Sequence, residues 1–319
     1  MERFFERFFN PNDYIYKNEC KRNGSLAEER RKKYRAIMEK DFLPFLKERH
    51  IKRFEEITVP LLDDFQDLLL SRGLKALSVN DKMIAVGKAL KYLARKGMIA
   101  QNPYLNLAPI TARQAEKKAR GCYEIDRMKG IFNDEKKWEE RISFLTCLLI
   151  YTTDMRNGEI MGFRKKDIKE IDGCHFIEII KSKTSNGIRL IPLHERVYRQ
   201  VMGYAADMDD DQAIFGRLTK PCFIRANRDL GKLLGVGEEY LKKNNITFYS
   251  GRHFWKTMMN AGGLGEDIEE IFMGHKVSGN VAKLYNHRDK QGKELIIKKA
   301  REVFGILDRY IFEEAKNEG

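Results

Sequence analysis

A histidine and a tyrosine lie ten residues apart near the end of the chain, in the segment GHKVSGNVAKLYNHR at residues 274–288. Both side chains can take part in acid–base or nucleophilic chemistry. Each also has an ordinary interpretation, because a buried tyrosine usually fills a core and a histidine after a glycine usually lies in a loop. His275 and Tyr285 therefore suggest an active site only if the chain supplies partners for them.

Three cationic side chains are available as partners. Arg156 follows an apolar stretch in TTDMRNGEIMGF, and Glu159 lies one helical turn later. Lys183 lies near the turn of a predicted β-hairpin, and Arg252 lies three residues after Tyr249 in TFYSGRHFWKTMM. Taken singly, each is best interpreted as an ordinary surface or helix-start charge of small energetic weight. Their common order along the chain is what makes them notable.

In that order, these residues resemble the catalytic set of the tyrosine recombinases, the phage-type integrase family. The family pattern has an arginine in a T-G-x-R-x-x-E-like segment, a hairpin lysine before a threonine, an H-x-x-R, a G-H and a tyrosine shortly afterwards. The matching stretches here are TTDMRNGEIMGF, IKSKTSNGIRLIPL, YSGRHFWKTM and MGHKVSGNVAKLYNHRD. The resemblance is strong over residues 122–290 and rests on helical pattern and charge over residues 25–110.

The resemblance implies strand transfer through a covalent protein–DNA link. A tyrosine attacks the scissile phosphate, forms a 3′-phosphotyrosine and frees a 5′-hydroxyl, and a second 5′-hydroxyl then releases the tyrosine. The bond energy is conserved in the ester, so neither ATP nor another high-energy cofactor is expected. No metal is expected either, because the sequence lacks an evident carboxylate cluster of the kind that holds magnesium in two-metal nucleases and the arginines take the cation's role. Positioning and charge stabilisation dominate phosphoryl transfer, and paired arginines suit the non-bridging oxygens because their planar forks are always charged.

The implied roles fall on named residues. Tyr285 is the nucleophile, Lys183 is the general acid for the leaving 5′-oxygen, and His275 donates a hydrogen bond to the phosphate. The acid at the family's conserved position, Glu159, is expected to orient its neighbours. The expected catalytic set is Arg156, Lys183, Tyr249, Arg252, His275 and Tyr285.

Two positions depart from the family pattern. Tyr249 stands where the family commonly has histidine, and a phenol can donate a hydrogen bond to phosphate but carries protons poorly near neutral pH. Asp154 and Met155 replace the usual small residues before the first arginine. The alternative interpretation is therefore a catalytically weak or inactive, sequence-specific DNA-binding protein built on the same fold.

Local patterns predict the elements that must position these residues. Helix-capping residues and helix-breaking glycine and proline delimit the predicted helices. The segments HFIEII and IRLIPL show the alternating pattern of β-strands, and SNG between them is the predicted turn of a β-hairpin. The prediction is a mainly α fold with a small β-hairpin or sheet, in which a helical core-DNA-binding domain precedes a mixed α+β tyrosine-recombinase catalytic domain. Helices are expected after Ser25, from Thr58 to Gly73, from Ser78 or Asn80 to Gly97, and at 141–153, 196–205, 223–234, 252–261 and 292–316.

This pattern divides the chain into five segments. They are an N-terminal extension (1–24), the helical core-DNA-binding domain (25–108), a basic linker (109–121), the catalytic domain (122–290) and a C-terminal helix (291–319). The family resemblance suggests that this last helix docks on a neighbouring protomer. The two domains are expected to form a clamp around duplex DNA.

The charge balance favours a polyanionic partner. The formal net charge is +13 and the sequence pI is about 9.3. Residues 71–120 hold eleven lysines and arginines against two acids, a density that repels itself without counter-charge. The residues expected to contact DNA are Lys82, Lys88, Lys91, Arg95, Lys117 and Lys118.

Other classes of protein fit less well. No stretch approaches the roughly twenty apolar residues of a membrane span. A membrane-surface binder would need a basic amphipathic helix with bulky apolar anchors, whereas the basic stretch here is interpreted as a helix of a globular domain followed by a linker. The five scattered cysteines are expected to be reduced thiols rather than disulfides or zinc ligands. We expect a cytoplasmic, nucleoid-associated protein.

Double-stranded DNA is the expected partner. From the resemblance we further expect a homotetramer on two DNA sites, assembled from monomers or dimers, with an accessory DNA-bending or excisionase factor and without a membrane. Integration, excision, inversion and dimer resolution share one active site, so the sequence leaves the biological task open. We favour the movement or inversion of a mobile element.

Overall fold

The structure is a computed structural model, and it describes residues 1–111, 120–180, 187–275 and 290–312 of the chain. The chain divides into two compact units, Met1–Lys118 and Ala119–Gly319, and each has its own hydrophobic core. Helices dominate both, with one three-stranded sheet in the second unit. The predicted fold class is therefore confirmed. Within the described ranges, no helix is both long and apolar enough to cross a membrane.

The N-terminal residues belong to the core of the first unit. The phenylalanines of MERFFERFFN recur at helical spacing, and Phe5, Phe8 and Phe9 are almost fully buried, as expected for side chains of such large apolar area. The segment that the sequence suggested as an extension thus packs with the helices that follow. These helices are α1 (Glu2–Phe8), α2 (Tyr14–Asn23), α3 (Glu28–Ile37), α4 (Leu43–Glu48), α5 (Val59–Ser71) and α6 (Ala76–Arg95).

Helix α6 begins earlier than predicted. It starts at Ala76, whereas Ser78 or Asn80 was expected to cap it. Asn80 has a different role, because its Nδ2 donates to the carbonyl of Ile110 at 2.8 Å and its Oδ1 accepts from the Ile110 amide at 3.0 Å. These two bonds fix residue 110, near the start of the predicted linker, to the first unit. Most of the remaining linker, residues 112–119, lies outside the described residues.

The second unit is built around helix α8 (Arg141–Thr153), which is buried at every position from Ser143 to Thr153. This confirms the predicted apolar helix, and it explains why the segment lacks a polar face. Around it lie α7 (Ile125–Met128), α9 (Asn157–Gly162), α10 (Glu195–Tyr204), α11 (Lys220–Leu233), α12 (Glu238–Lys243), α13 (Ser250–Ala261), α14 (Glu266–Met273) and α15 (Lys290–Tyr310). The prediction missed α12 and α14, since segments of six and eight residues span too few turns to show a clear period.

The sheet has one strand more than predicted. Strands β1 (Ile168–Ile171), β2 (Cys174–Ile179) and β3 (Arg189–Leu193) pair antiparallel in chain order. Ile171 pairs with Cys174, so Asp172 and Gly173 form a two-residue turn in which both have positive φ. Asp-Gly is the preferred sequence for such a turn, so the signal for the first hairpin was present in the chain. Residues 181–186, which include the predicted turn of the second hairpin, lie outside the described residues.

Helix α15 packs on its own unit. Val303, Ile306 and Leu307 join the main core, and the amide of Gly130 donates to the carbonyl of Ile311 at 2.8 Å. The chain is therefore part of the folded unit up to residue 312. Exchange of the C-terminal segment between protomers stays a prediction, and residues 313–319 lie outside the described part.

Candidate active site

Arg156 stands at the N-terminus of α9, and Glu159 holds it in two ways. The carboxylate accepts a 2.8 Å bond from the Arg156 amide through Oε2, which satisfies one of the unpaired amides of the helix start. It accepts another 2.8 Å bond from Nη1 of the same residue through Oε1. About a third of the Arg156 side chain stays exposed. This is the contact expected of an acid that orients its neighbours.

Arg252 approaches the same region from α13, and it is almost fully buried. Its Nη1 donates to the carbonyl of Asp154 and lies 2.9 Å from Oδ2 of that residue. Asp154 ends α8 in the left-handed conformation with φ 57°, a region that aspartate tolerates better than most residues. The position that departs from the family's small residue thus supplies a buried carboxyl group that contacts Arg252.

The C-terminus of α14 is where the arginines meet. The amides of Gly274 and His275 bond back to the carbonyls of Ile271 and Glu270, which is the Schellman ending of a helix. The later carbonyls need other donors. Nη2 of Arg156 donates to Met273 O at 3.1 Å, and Nη2 of Arg252 donates to the same oxygen at 3.4 Å.

A third arginine completes this arrangement. Nε of Arg189, on β3, donates to the carbonyl of Phe272 at 2.6 Å, and Nη1 and Nη2 each lie 3.0 Å from an oxygen of Glu159. The negative end of a helix dipole favours cations, so the end of α14 suits three guanidinium groups. Together with two carboxylates, Asp154 and Glu159, the cluster keeps an excess of positive charge.

The two carboxylates respond differently to their surroundings. Burial pushes the pKa of Glu159 upwards, but hydrogen bonds from Arg189 and Arg156 outweigh it and hold the pKa below its usual value. Burial raises the pKa of Asp154 well above its usual range, with Arg252 acting against the shift. Glu159 is therefore the firmly ionised member of the pair.

His275 directly follows Gly274, which has the αL conformation, and Glu270 holds the imidazole ring of His275. Its Nδ1 lies 2.5 Å from Oε2 of Glu270, whose other oxygen lies 2.5 Å from Nζ of Lys256. Burial pushes the pKa of Glu270 upwards, but bonds from Lys256 and His275 lower it overall. With Nδ1 engaged, Nε2 is the ring atom left to face a ligand.

Tyr249 lies beside Arg252. Its ring is half-buried, with the guanidinium of Arg252 at 5.5 Å from the ring centroid and that of Arg120 at 4.8 Å. Such contacts are cation–π interactions. The phenol therefore contributes its ring face to the site.

The structure brings together Arg156, Glu159, Tyr249, Arg252 and His275. The other two predicted catalytic residues, Lys183 and Tyr285, lie outside the described residues. Sequence reasoning missed Arg189, although an arginine inside the otherwise apolar segment IRLIPL is the kind of buried charge that requires a partner.

The basic residues predicted to bind DNA fall into two groups on α6. Lys88 and Lys91 are exposed and form no ion pair within the described ranges. Lys82 instead pairs with Asp41, and Arg95 pairs with Glu19. Two further predicted contacts, Lys117 and Lys118, lie outside the described residues.

Residues 124–292 match the Phage integrase family, and residues 12–110 match the Phage integrase SAM-like domain. The chain belongs to the phage integrase family. Among its relatives, tyrosine recombinase XerC of Psychromonas ingrahamii is 23% identical over 257 residues, covering 79% of this chain and 83% of the relative. Tyrosine recombinase XerC of Bacillus licheniformis is 22% identical over 263 residues, covering 78% and 83%. The family assignment confirms the prediction of a tyrosine-type, site-specific recombinase.

Solved structures of integrase-family proteins share the fold. One is the XerH site-specific recombinase bound to difH substrate in a pre-cleavage complex, with a TM-score of 0.60, 19% identity and 93% coverage of each chain. Another is a lambda integrase (75–356) dimer bound to a COC′ core site, with a TM-score of 0.59, 14% identity, and coverage of 87% of this chain and 95% of the other.

Proposed function

We propose that this phage integrase family member cleaves and rejoins DNA strands at specific sites through a 3′-phosphotyrosine, and that it integrates, excises or inverts a mobile element. One observation carries the proposal. Arg156 and Arg252, far apart in the chain, both donate to the carbonyl of Met273, next to the Gly274-His275 step. Two permanently charged forks aimed at one acceptor form a site for the non-bridging oxygens of a phosphate.

The two arginines would act on the charge that develops during phosphoryl transfer. A phosphate bound beside the end of α14 would accept from the donors that Arg156 and Arg252 do not use on protein carbonyls. Glu159 and Asp154 hold these arginines before DNA arrives, so little reorganisation is needed on binding. Removal of either arginine should raise the barrier by about 3–4 kcal/mol, by comparison with lost oxyanion-hole donors.

Tyr285 and Lys183 complete the reaction in this proposal. The Tyr285 hydroxyl gives its proton to water, and its oxygen bonds to phosphorus as the bond from phosphorus to the 5′-oxygen breaks. Lys183 gives a proton to that leaving oxygen and regains one from solvent. A second 5′-hydroxyl then attacks the phosphotyrosine, which restores both the phosphodiester and the tyrosine. His275, oriented by Glu270, would donate to the phosphate.

Double-stranded DNA is the proposed partner. The solved relatives XerH and lambda integrase are bound to difH and to a core site, and Lys88 and Lys91 are exposed cations on α6 that suit phosphate contacts. We propose a homotetramer on two sites, with an accessory DNA-bending or excisionase factor, acting in the cytoplasm on the nucleoid.

A suicide substrate tests the proposal. A duplex taken from the DNA that flanks the gene, nicked beside the cleavage point, lets the freed end diffuse away and traps the covalent intermediate. We expect an adduct on a denaturing gel with the wild-type chain, and none with Tyr285→Phe. Tyr151→Phe is a control, because the Tyr151 ring is fully buried in the core.

The competing function is sequence-specific DNA binding without strand cleavage. Two observations favour it: Arg252 is almost fully buried against Asp154, and Tyr249 replaces an imidazole. This function predicts saturable binding to one sequence with no covalent adduct from the wild-type chain. Trapping of a Tyr285-dependent adduct would eliminate it.

A further inference from the structure

Arg189 links three segments that carry predicted catalytic residues. Its Nη1 and Nη2 hold Glu159, which in turn holds Arg156. Its Nε holds the carbonyl of Phe272, three residues before His275. Its Nη1 also donates to the carbonyl of Gly187 at 3.0 Å, directly after the 181–186 segment that contains Lys183.

Arg189 is too deeply buried to contact DNA directly. Only 4% of the residue is exposed, so its charge is satisfied inside the protein by one carboxylate and two carbonyls. An isolated buried cation is strongly unfavourable, whereas a bidentate pair with further hydrogen bonds is tolerated. An apolar residue at this strand position would need no buried hydrogen-bond partners, so the presence of arginine here calls for a functional explanation.

The glycine of the Gly-His step fits against this arginine. A Cβ on Gly274 would lie 2.9 Å from Nη1 of Arg189 and 3.1 Å from its Cδ. Gly274 also has φ +70°, which favours glycine. Close packing of the Arg189 guanidinium thus requires glycine at position 274, in the turn directly before His275.

We propose that Arg189 is a positioning residue for strand cleavage: it sets the orientation of Arg156 through Glu159 and the placement of His275 through the end of α14. Arg189 does not touch the phosphate. The inference rests on the proposed function, because it assigns Arg189 a purpose through the catalytic roles of Arg156 and His275. Lysine cannot replace it, since one ammonium lacks the fork that reaches both Glu159 oxygens and the Phe272 carbonyl.

The test compares Arg189→Lys with Arg164→Lys. Arg164 forms an equivalent two-bond pair with Asp167, with Nη2–Oδ1 at 2.9 Å and Nε–Oδ2 at 3.0 Å. Among the residues that the structure describes, it has no hydrogen bond or ion pair with a predicted catalytic residue. Single-turnover cleavage of the nicked duplex should fall about 10²-fold in Arg189→Lys, as for a misplaced catalytic group, and stay near the wild-type rate in Arg164→Lys. DNA affinity should be unchanged in both.

A second substrate separates positioning from a general structural effect. A methylphosphonate at the scissile position replaces one charged oxygen with methyl and removes the charge that Arg156 would stabilise. If Arg189 acts by aiming Arg156, the rate ratio of wild type to Arg189→Lys should shrink towards one on this substrate. An equal ratio on both substrates would overturn the inference.

Three further outcomes are decisive. A wild-type chain that forms no Tyr285-dependent adduct refutes the proposed function itself, whereas wild-type cleavage with an unimpaired Arg189→Lys refutes only the inference. If Arg189→Lys fails to bind DNA, Glu159→Gln takes its place. That variant keeps the Arg189 bonds to both carbonyls and weakens the two bonds of residue 159, to Arg189 and to Arg156. A wild-type rate from it also refutes the inference.

Discussion

The carboxylate of Asp154 lies 2.9 Å from Nη1 of Arg252, and both residues are almost completely withdrawn from water. Asp154 follows helix α8 directly in the αL conformation, so the same residue terminates the buried helix and contacts an arginine of the site. The pair therefore connects the core of the catalytic unit to its chemistry.

The first prediction concerns the pH dependence of this pair. Burial raises the pKa of Asp154, so the folded state holds its proton more tightly than the unfolded state does. The stability that protonated Asp154 contributes is complete below its unfolded pKa and is lost as pH rises through the folded pKa. Asp154→Asn cannot ionise, so its melting temperature relative to wild type should increase as pH rises from about 4 to 7.

Asp154→Ala separates charge from backbone conformation. Alanine at φ 57° should be less stable than asparagine by about 1–2 kcal/mol. Asp172→Ala is the matched control, because Asp172 has φ 48° in an exposed turn. Its only arginine contact in the described structure is a 3.5 Å bond from Arg301 Nη2 to its backbone carbonyl, which alanine keeps. A flat difference between Asp154→Asn and wild type across this pH range would contradict the prediction.

The second prediction concerns Gly274. Gly274→Ala should lose about 1–2 kcal/mol from the αL conformation, together with a further loss because its Cβ displaces Arg189. Gly235→Ala is the control, since Gly235 has a similar φ of +68° with open space around its Cβ position. Urea unfolding should show the larger loss at position 274, and single-turnover cleavage should fall only there. Equal losses at both positions would mean that contact with Arg189 is unimportant.

The third prediction concerns His194. Its Nδ1 accepts from the amide of Arg196 at 3.2 Å to cap α10, and its Nε2 lies 3.1 Å from Asp308 on α15. Burial lowers the pKa of His194, with Asp308 acting in the opposite direction, Arg196 lowering it further and Glu195 raising it. A depressed folded pKa contributes stability that is complete above the unfolded pKa of about 6.5 and is lost as pH falls through the folded pKa.

The melting temperature of the wild type should therefore fall more steeply than that of His194→Asn between about pH 7 and pH 5. Asparagine keeps the capping oxygen but does not titrate. Each kcal/mol of difference corresponds to about 2–4 °C for a unit of this size. Parallel melting curves for the two chains would show that His194 does not govern the acid sensitivity of the contact between α10 and α15.

The fourth prediction concerns the basic face of α6. Lys88→Ala with Lys91→Ala should weaken DNA binding for all sequences and reduce the salt dependence of log K by about 0.9 for each lost phosphate contact. Lys82→Ala is the control, because Lys82 already pairs with Asp41. Binding titrations at several salt concentrations measure both slopes. A larger change in the control would place the DNA on another face of the unit.

The fifth prediction concerns the C-terminus. A chain that ends at residue 312 keeps the core side chains of α15 and should fold and bind single sites normally, but should not form tetramers if residues 313–319 are exchanged between protomers. A chain that ends at residue 295 loses Ile296, Ile297 and Leu307 from the core and should be unstable. Native gels with two-site DNA distinguish these results, and tetramers of the 312-residue chain would refute exchange of residues 313–319.

Local sequence determined much of this protein. The apolar run of α8, the helix start at Thr58 and Pro60, and the β-branched strands encode their own periodicities and caps, so these elements were predictable. The order of arginine, lysine, arginine, Gly-His and tyrosine was sufficient to suggest the family. Short elements such as α14 were missed because they span too few turns, and β1 was missed although Asp172-Gly173 marks its turn.

Only the tertiary structure decided which atoms the charged residues reach. Arg156 bonds to the carbonyl of Met273 across 117 residues, and Arg189 bonds to that of Phe272 across 83. Such contacts depend on how α9, β3, α13 and α14 pack around the core, and no local pattern records that packing. The sequence therefore indicated which residue types could bind a phosphate. The packing of the helices and the sheet brought Arg156 and Arg252 to the carbonyl of Met273, and it placed Arg189, which the sequence did not predict, on the neighbouring carbonyl of Phe272.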